Sequence, residues 1–151
     1  MQGNPYPGGE RGDGAIPMGP NPQPEKLRAD YLPPQSLFGL HHAAHEVMKS
    51  YDSLGVYLVG SCLRGKNYRD VDVRCIMRDA DFEAAFPKDE NGHRPRWMLT
   101  CLSISAWFRQ ATGLPVDFQF QKQTLANERY PSRQHPRNGL GFYHWLGDAA
   151  A

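Results

Sequence analysis

The sequence has no long apolar run. None of its stretches approaches the roughly 18 consecutive apolar residues that a membrane-spanning helix needs. Its first residues also lack the basic-then-apolar order of a secretory signal. We therefore expect a soluble, cytoplasmic protein that makes no contact with a membrane.

The sequence also has few cysteines and little net charge. The chain of 151 residues has three cysteines, Cys62, Cys75 and Cys101, and no CxxC pair, which argues against a disulfide framework or a thiolate zinc site. The formal net charge is +1, which argues against a surface built entirely for nucleic acid. We therefore expect the three thiols to be buried. We also expect any basic surface to be limited to local patches.

Glycine and proline are rare after residue 35 and abundant before it. Residues 1–35 hold six glycines and eight prolines, 40% of that segment, whereas the share in residues 36–151 is 12%. A segment with so few apolar side chains cannot offset the entropy lost on ordering. The sequence predicts a disordered segment over 1–35, a folded domain over 36–123, and a C-terminal extension over 124–151 that packs on or near the core.

Hydrophobic periodicity predicts the elements of this domain. They are, in order, a helix over 36–51 capped by Ser36, a strand over 56–59, a strand over 70–77, a short helix over 79–86, a helix from 97 to Gly113, a strand over 116–121 and a weak helix over 124–129. This order predicts an α/β or α+β domain with a small mixed sheet flanked by helices. The remaining residues are expected to be loop-like, with Phe142, Tyr143 and Trp145 available to dock on the core.

Three aspartates are placed unusually for a structural role. Asp70 and Asp72 stand two apart on a predicted strand, so their side chains leave one face about 6.6 Å apart. Asp117 lies within the third strand, where aspartate is disfavoured. If these strands are neighbours, the three carboxylates converge and repel each other unless a cation neutralises them. Hard oxygen donors suit Mg²⁺ or Mn²⁺ rather than zinc or copper.

Small residues and cations follow the first strand. Gly60 at the strand end would let a phosphate approach the backbone, and a helical turn after Ser61 would present free N–H groups to it. Arg64 and Lys66 are candidate triphosphate partners, with solvated loop cations as the alternative. Arg74 shares the aspartate face and could pair with a carboxylate rather than touch substrate.

A basic and aromatic tail follows the third strand. Its members are Lys122, Arg129, Tyr130, Arg133, His135 and Arg137. Its position predicts a place near the Asp117 end of the site, in contact with triphosphate or an RNA acceptor. A solvated C-terminal extension is the alternative.

Three blocks of sequence stand in a specific order. Val59-Gly60-Ser61 is followed after eight residues by Asp70-Val71-Asp72-Val73, and later by Val116-Asp117-Phe118. Over residues 36–123 this order resembles the signature of the DNA polymerase beta-type nucleotidyltransferase superfamily, which includes antibiotic nucleotidyltransferases, CCA-adding enzymes, poly(A) polymerases and small minimal nucleotidyltransferases. The spacer of eight residues is a little shorter than is usual there, which implies a smaller turn under the triphosphate.

The resemblance implies a nucleotidyltransferase-like fold and function. A nucleoside monophosphate would move from a nucleoside triphosphate to an acceptor hydroxyl on RNA, tRNA, protein or a small molecule, with release of pyrophosphate. Gly60 and Ser61 would hold the β and γ phosphates, and Asp70 and Asp72 would ligate two Mg²⁺ (or Mn²⁺) ions. Asp117 would complete the metal site near the acceptor and help deprotonate its hydroxyl. Two such ions can activate the nucleophile and stabilise the leaving pyrophosphate.

Two other interpretations remain open. A non-catalytic nucleotide-binding or antitoxin-like module could keep the pocket without turnover, although three mutually repelling aspartates favour activity. A metal-dependent phosphohydrolase would release inorganic phosphate instead of pyrophosphate. Because the domain is small, acceptor recognition would fall to the C-terminal tail, to self-association, or to a protein partner bound through the Pro-rich segment 1–35.

Overall fold

The structure, a computed structural model, describes residues 30–131 and 133–141. Its elements are α1 (Pro34–Ser50), β1 (Gly55–Val59), a 3-10 turn (Gly60–Leu63), β2 (Val71–Met77), α2 (Asp79–Ala85), α3 (Pro95–Thr112), β3 (Val116–Lys122), α4 (Gln123–Arg129) and β4 (Asn138–Leu140). The order and type of the predicted helices and strands are therefore confirmed, with ends that move by one or two residues.

The four strands form one mixed sheet in the order β3-β2-β1-β4. Strand β1 is antiparallel to both β2 and β4, whereas β2 and β3 are parallel. The helix-bearing connection between β2 and β3 makes their parallel pairing possible, because parallel neighbours need a long crossover. The predicted α+β architecture with a small mixed sheet is confirmed.

Alternation along the central strands separates an apolar face from a polar one. Val71, Val73 and Cys75 of β2 and Phe118 and Phe120 of β3 are buried, and helices α1 and α3 cover this face of the sheet. The alternate residues of both strands leave the opposite face, as period two requires. The three cysteines are free and buried, as predicted. The polar face is therefore the one left available for a site.

Helix α1 begins earlier than predicted and without the predicted cap. Pro33 occupies the N-cap position and Pro34 the first turn, so Ser36 lies inside the helix. Proline suits a first turn because its fixed φ is already helical and its missing N–H would have no helical partner. Leu32 is buried, and the N–H of Tyr31 donates to the carbonyl of Cys62 at 3.0 Å. The ordered core thus includes residues that the composition assigned to the segment 1–35; residues 1–29 lie outside the described part.

Strand β4 corrects the prediction that residues after 129 are loop-like. Asn138–Leu140 pairs with β1, and Leu140 is buried. Three residues including a glycine are too short to show a period, so only the open edge of β1 defines this strand. Phe142, Tyr143 and Trp145, expected to dock on the core, lie outside the described residues.

Helix α3 has an apolar side that the sheet does not cover. Trp97 packs against the core and donates its indole N–H to the carbonyl of Phe120 at 2.9 Å. Trp107 lies on the outer side of the helix and is 41% exposed. Within the described ranges, no helix is long and apolar enough to cross a membrane.

Candidate functional site

Two of the three candidate aspartates meet on the polar face of the sheet. In the parallel ladder of β2 and β3, Asp72 is the direct partner of Asp117. Asp70 precedes β2 by one residue and is exposed. Across residues 30–131 and 133–141, no three His, Cys, Asp or Glu side chains form a group that could hold a metal ion. We expected three carboxylates to converge. In the structure two of them, Asp72 and Asp117, form a pair, and Asp70 lies near this pair.

The cation that neutralises this pair is Arg74. Its Nη2 lies 3.0 Å from Oδ2 of Asp117 and 3.4 Å from Oδ1 of Asp72. Its Nη1 donates to the carbonyl oxygens of Asp117, at 2.6 Å, and Val73, at 3.0 Å. The Arg74 side chain is only 13% exposed, so these contacts occur largely out of water. The pairing that the sequence suggested for Arg74 is confirmed.

The environment of Asp72 raises the pKa of its carboxyl despite this pairing. Burial is the largest influence and raises the pKa of the Asp72 carboxyl, while the guanidinium of Arg74 acts in the opposite direction. The charges of Asp117 and Asp70 raise that pKa further. An additional positive charge close to Asp72 would therefore stabilise the ionised form of its carboxyl.

Gly60 makes room for the Asp72 carboxylate at the end of β1. Its φ is +82°, in the left-handed region that glycine adopts at little cost. A Cβ placed on Gly60 would lie 2.2 Å from Oδ2 of Asp72, closer than two such atoms can approach. The glycine of the first sequence block and the second aspartate of the next block are thus in direct contact.

A cleft of about 260 Å³ opens over this part of the sheet. Its floor includes Asp72, Arg74 and, on β3, Gln119 and Gln121. Arg64 stands at one side, and a wall is formed by Tyr130, His135, Pro136 and Arg137. The lining thus contains three arginines and one aspartate, a balance that attracts anions.

Two arginines hold the C-terminal wall in place. Arg64 donates from Nη2 to the carbonyl of Gln134 at 3.0 Å, joining the wall to the link after β1. Arg137 donates from Nη2 to the carbonyl oxygens of Ala126 and Tyr130, both at 3.2 Å, which are acceptors at the end of α4. The wall is therefore anchored to both the β1–β2 link and α4.

The other sequence-predicted residues divide into those near the cleft and those outside it. Ser61 and Lys66 are exposed and do not line the cleft, and Asp117 reaches it only through its contacts with Arg74 and Gln119. Lys122 pairs with Glu83. Arg129 and Arg133 of the basic tail are exposed away from the cleft, whereas Tyr130, His135 and Arg137 line it.

Sequence reasoning missed the two glutamines on the floor. Gln119 and Gln121 follow Asp117 at steps of two along β3. That alternation predicted a common polar face, but it carried no sign that a wall from the C-terminal extension would turn the face into a cleft. The signal that could have identified them is their shared face with Asp117.

Comparison of the chain with protein-family models, with curated proteins and with solved structures gave no match. The resemblance to the nucleotidyltransferase superfamily therefore depends on the three sequence blocks. In the fold, residues from these three blocks lie together, because Gly60 contacts Asp72 and Asp72 pairs with Asp117.

Proposed function

We propose that this chain is a cytoplasmic, Mg²⁺-dependent nucleotidyltransferase with a nucleotidyltransferase-like fold. It would transfer a nucleoside monophosphate from a nucleoside triphosphate to an acceptor hydroxyl and release pyrophosphate. The observation that carries the proposal is the pairing of Asp72, which lies against Gly60, with Asp117 at a cleft lined by arginines. Phosphoryl chemistry needs mainly positioning and charge neutralisation, and these residues provide both.

Each residue of the site has a role in this proposal. The backbone at Gly60 and Ser61 binds the β and γ phosphates, and Arg64 supplies positive charge at the side of the cleft. Lys66, on the exposed link, adds charge without entering the cleft. Asp117 lies on the acceptor side and accepts the proton of the attacking hydroxyl.

Asp70, Asp72 and Asp117 are the residues that would hold two Mg²⁺ or Mn²⁺ ions. Bound ions of this kind neutralise phosphate charge and lower the pKa of a coordinated hydroxyl. The donor set fits in kind, because carboxylate oxygens are the ligands that these cations prefer. In the described residues Arg74 contacts both Asp72 and Asp117, and no three carboxylates form a group that could hold a metal ion. Cation binding therefore requires Arg74 to release both carboxylates and Asp70 to move towards them.

The test is transfer of label from each of four α-labelled nucleoside triphosphates. The protein is incubated with Mg²⁺ and, separately, with RNA including tRNA, with protein and with small-molecule pools as acceptors. We expect one donor and one pool to become linked, and we expect Asp72→Asn and Asp117→Asn to lower transfer about 100-fold or more. Asp81→Asn, in α2, is the matched control and retains activity. Transfer by the Asp72 and Asp117 variants at the wild-type rate would falsify the proposal.

One observation favours a second candidate, a non-catalytic nucleotide-binding or antitoxin-like module. Arg74 neutralises the paired carboxylates without a metal ion. The two aspartates can therefore be stable neighbours in a protein that has no catalytic activity. Such a module would be stabilised by ATP equally well with and without Mg²⁺. Thermal unfolding with each ligand separately and together distinguishes it from the enzyme, which needs both.

A further inference from the structure

The cleft extends along β3 beyond the paired carboxylates. Asp117, Gln119 and Gln121 alternate on one face, so the last lies about 13 Å along the strand from the first. Gln119 and Gln121 line the cleft together with Ile76 and Tyr130. This end of the cleft therefore differs from the phosphate end in chemistry, since it combines amides with apolar and aromatic surface.

The groups at this end are available to a ligand. Gln121 is half-buried, and its amide makes no hydrogen bond within the described residues. Gln119 donates from Nε2 to Oδ2 of Asp117 at 3.3 Å, which leaves its carbonyl oxygen as an acceptor. Tyr130 is 45% exposed, and its ring stands perpendicular to that of His135 with centroids 5.3 Å apart. A planar ligand placed here would meet both hydrogen-bonding amides and an aromatic ring.

The chemistry of this end matches adenine better than the other bases. A glutamine amide can donate to and accept from adjacent positions on the edge of adenine, whereas guanine is matched by arginine and cytosine by a carboxylate. Arg74 and Arg137 are already engaged by carboxylate or carbonyl oxygens. Asp72 and Asp117 are engaged by Arg74 at the other end. On the floor of the cleft, the groups free to select a base are thus the two amides.

We propose that Gln119, Gln121 and Tyr130 form a base subsite that selects adenine, so that the nucleotide donor is an adenosine triphosphate. The proposal rests on the proposed function, which places the triphosphate at Gly60 and Arg64. The glutamines would read the base edge, and Tyr130 would contact its face, as aromatic side chains do with unpaired bases.

Equilibrium binding separates the base subsite from the phosphate site. The probes are inorganic tripolyphosphate, non-hydrolysable analogues of ATP, GTP, CTP and UTP, each with Mg²⁺, and adenosine alone. We expect the ATP analogue to bind about tenfold more tightly than the other three and than tripolyphosphate. Gln121→Leu should remove this preference without changing the affinity for tripolyphosphate. Tyr130→Ala should weaken all four nucleotides and leave tripolyphosphate unchanged.

Two controls exclude a general effect of the substitutions on binding or on folding. Gln110→Leu, the same change at an exposed position of α3, should bind like the wild type, and thermal unfolding of every variant checks the fold. If Gln121→Leu does not fold, Gln121→Met, which keeps the length of the side chain but loses the amide donor and acceptor without adding a charge, takes its place.

Two kinds of failure are distinguishable. Tripolyphosphate binding with no preference for adenine, or with another base preferred, overturns the base subsite while leaving the proposed function intact. Absence of tripolyphosphate binding contradicts the proposed function. In that case the adenosine measurement decides: binding that Gln121→Leu abolishes supports the subsite, and no binding overturns it.

Discussion

Gly60 and Arg74 determine, at the scale of single residues, how the Asp72 carboxylate is held. Gly60 allows the carboxylate to lie against the end of β1, where any side chain would collide with it. Arg74 supplies the positive charge that keeps Asp72 and Asp117 side by side. The first effect is steric and the second electrostatic, so substitutions can separate them.

Gly60→Ala should destabilise the fold through both strain and collision. A positive φ costs an alanine about 1 kcal/mol or more, and the contact with Asp72 adds to it, giving about 3 kcal/mol in all. Gly113→Ala has a positive φ of +73° and open space around the new Cβ, so it should lose about 1 kcal/mol. Gly65→Ala has neither feature and should stay within about 0.5 kcal/mol of wild type. Urea unfolding measures all three, and equal stability of the Gly60 and Gly65 variants would contradict this account.

Arg74→Gln should destabilise the fold because it leaves two adjacent carboxylates without their cation. Removing one partner from a buried pair is costly, and the partial exposure of Asp117 reduces the loss to about 2 kcal/mol. Added Mg²⁺ should restore more stability to this variant than to the wild type, since the metal no longer competes with Arg74. Thermal unfolding with and without Mg²⁺ measures this. Arg78→Gln is the exposed control, and an identical Mg²⁺ effect in both variants would count against the carboxylates as a cation site.

At the scale of elements, the side chain of Glu83 connects α2, α3 and β3. From α2 it accepts hydrogen bonds from Arg94, the N-cap of α3, at 2.7 and 2.8 Å, and it pairs with Lys122 at the end of β3. The hydrogen bonds from Arg94, followed by that from Lys122, hold the pKa of Glu83 at about 2. These contacts tie the helical crossover to the strand that carries Asp117.

Glu83 should make stability depend on pH in acid. Its pKa is lower in the folded state than in the unfolded chain, so its contribution is complete above about pH 4.5 and is lost as pH falls towards about 2. Glu83→Gln should therefore show a shallower loss of stability across that window than the wild type. Urea unfolding at a series of pH values measures the slopes. Glu90→Gln, in the exposed loop that follows, is the control and should keep the wild-type slope.

Strand β4 is a second element whose role can be tested. Leu140 is 1% exposed beside β1, so Leu140→Ala should lower the free energy of unfolding by about 3 kcal/mol. Leu99→Ala, at a side chain that is 66% exposed on α3, should change it by less than about 0.5 kcal/mol. Denaturant unfolding gives both values, and similar values for the two would mean that the C-terminal extension does not belong to the core.

The elements differ in how far the sequence predicts them. Strand β3 was predictable because Val116, Phe118 and Phe120 alternate strictly with polar residues, and α3 because its apolar stripe spans several turns. Strand β4 was not, because its three residues gain their structure from the edge of β1. The site divides in the same way. The pairing of Asp72 with Asp117 follows from neighbouring strands, whereas the cleft over Gln119 and Gln121 depends on a wall fixed by Arg64 and Arg137 through long-range contacts.

At the scale of the whole molecule, the fold brings a short C-terminal stretch over the open face of the sheet. Helices α1 and α3 cover the opposite face, so the cleft lies between the polar strand residues and the wall that begins at Tyr130. The domain thus contains a cleft of about 260 Å³, and the proposed function places the nucleoside triphosphate there. Acceptor recognition would then fall to self-association, to the tail after β4, or to a protein partner of residues 1–35, of which 1–29 lie outside the described part.

Calorimetric titration with a non-hydrolysable ATP analogue tests the central claim most directly, because it needs no knowledge of the acceptor. The account predicts binding that requires Mg²⁺ and that weakens about tenfold or more in both Asp72→Asn and Asp117→Asn, while Asp81→Asn binds like the wild type. Absence of binding of this analogue and of the GTP, CTP and UTP analogues in the presence of Mg²⁺, or equal binding by the wild type and both site variants, would contradict a triphosphate and metal site at the paired aspartates.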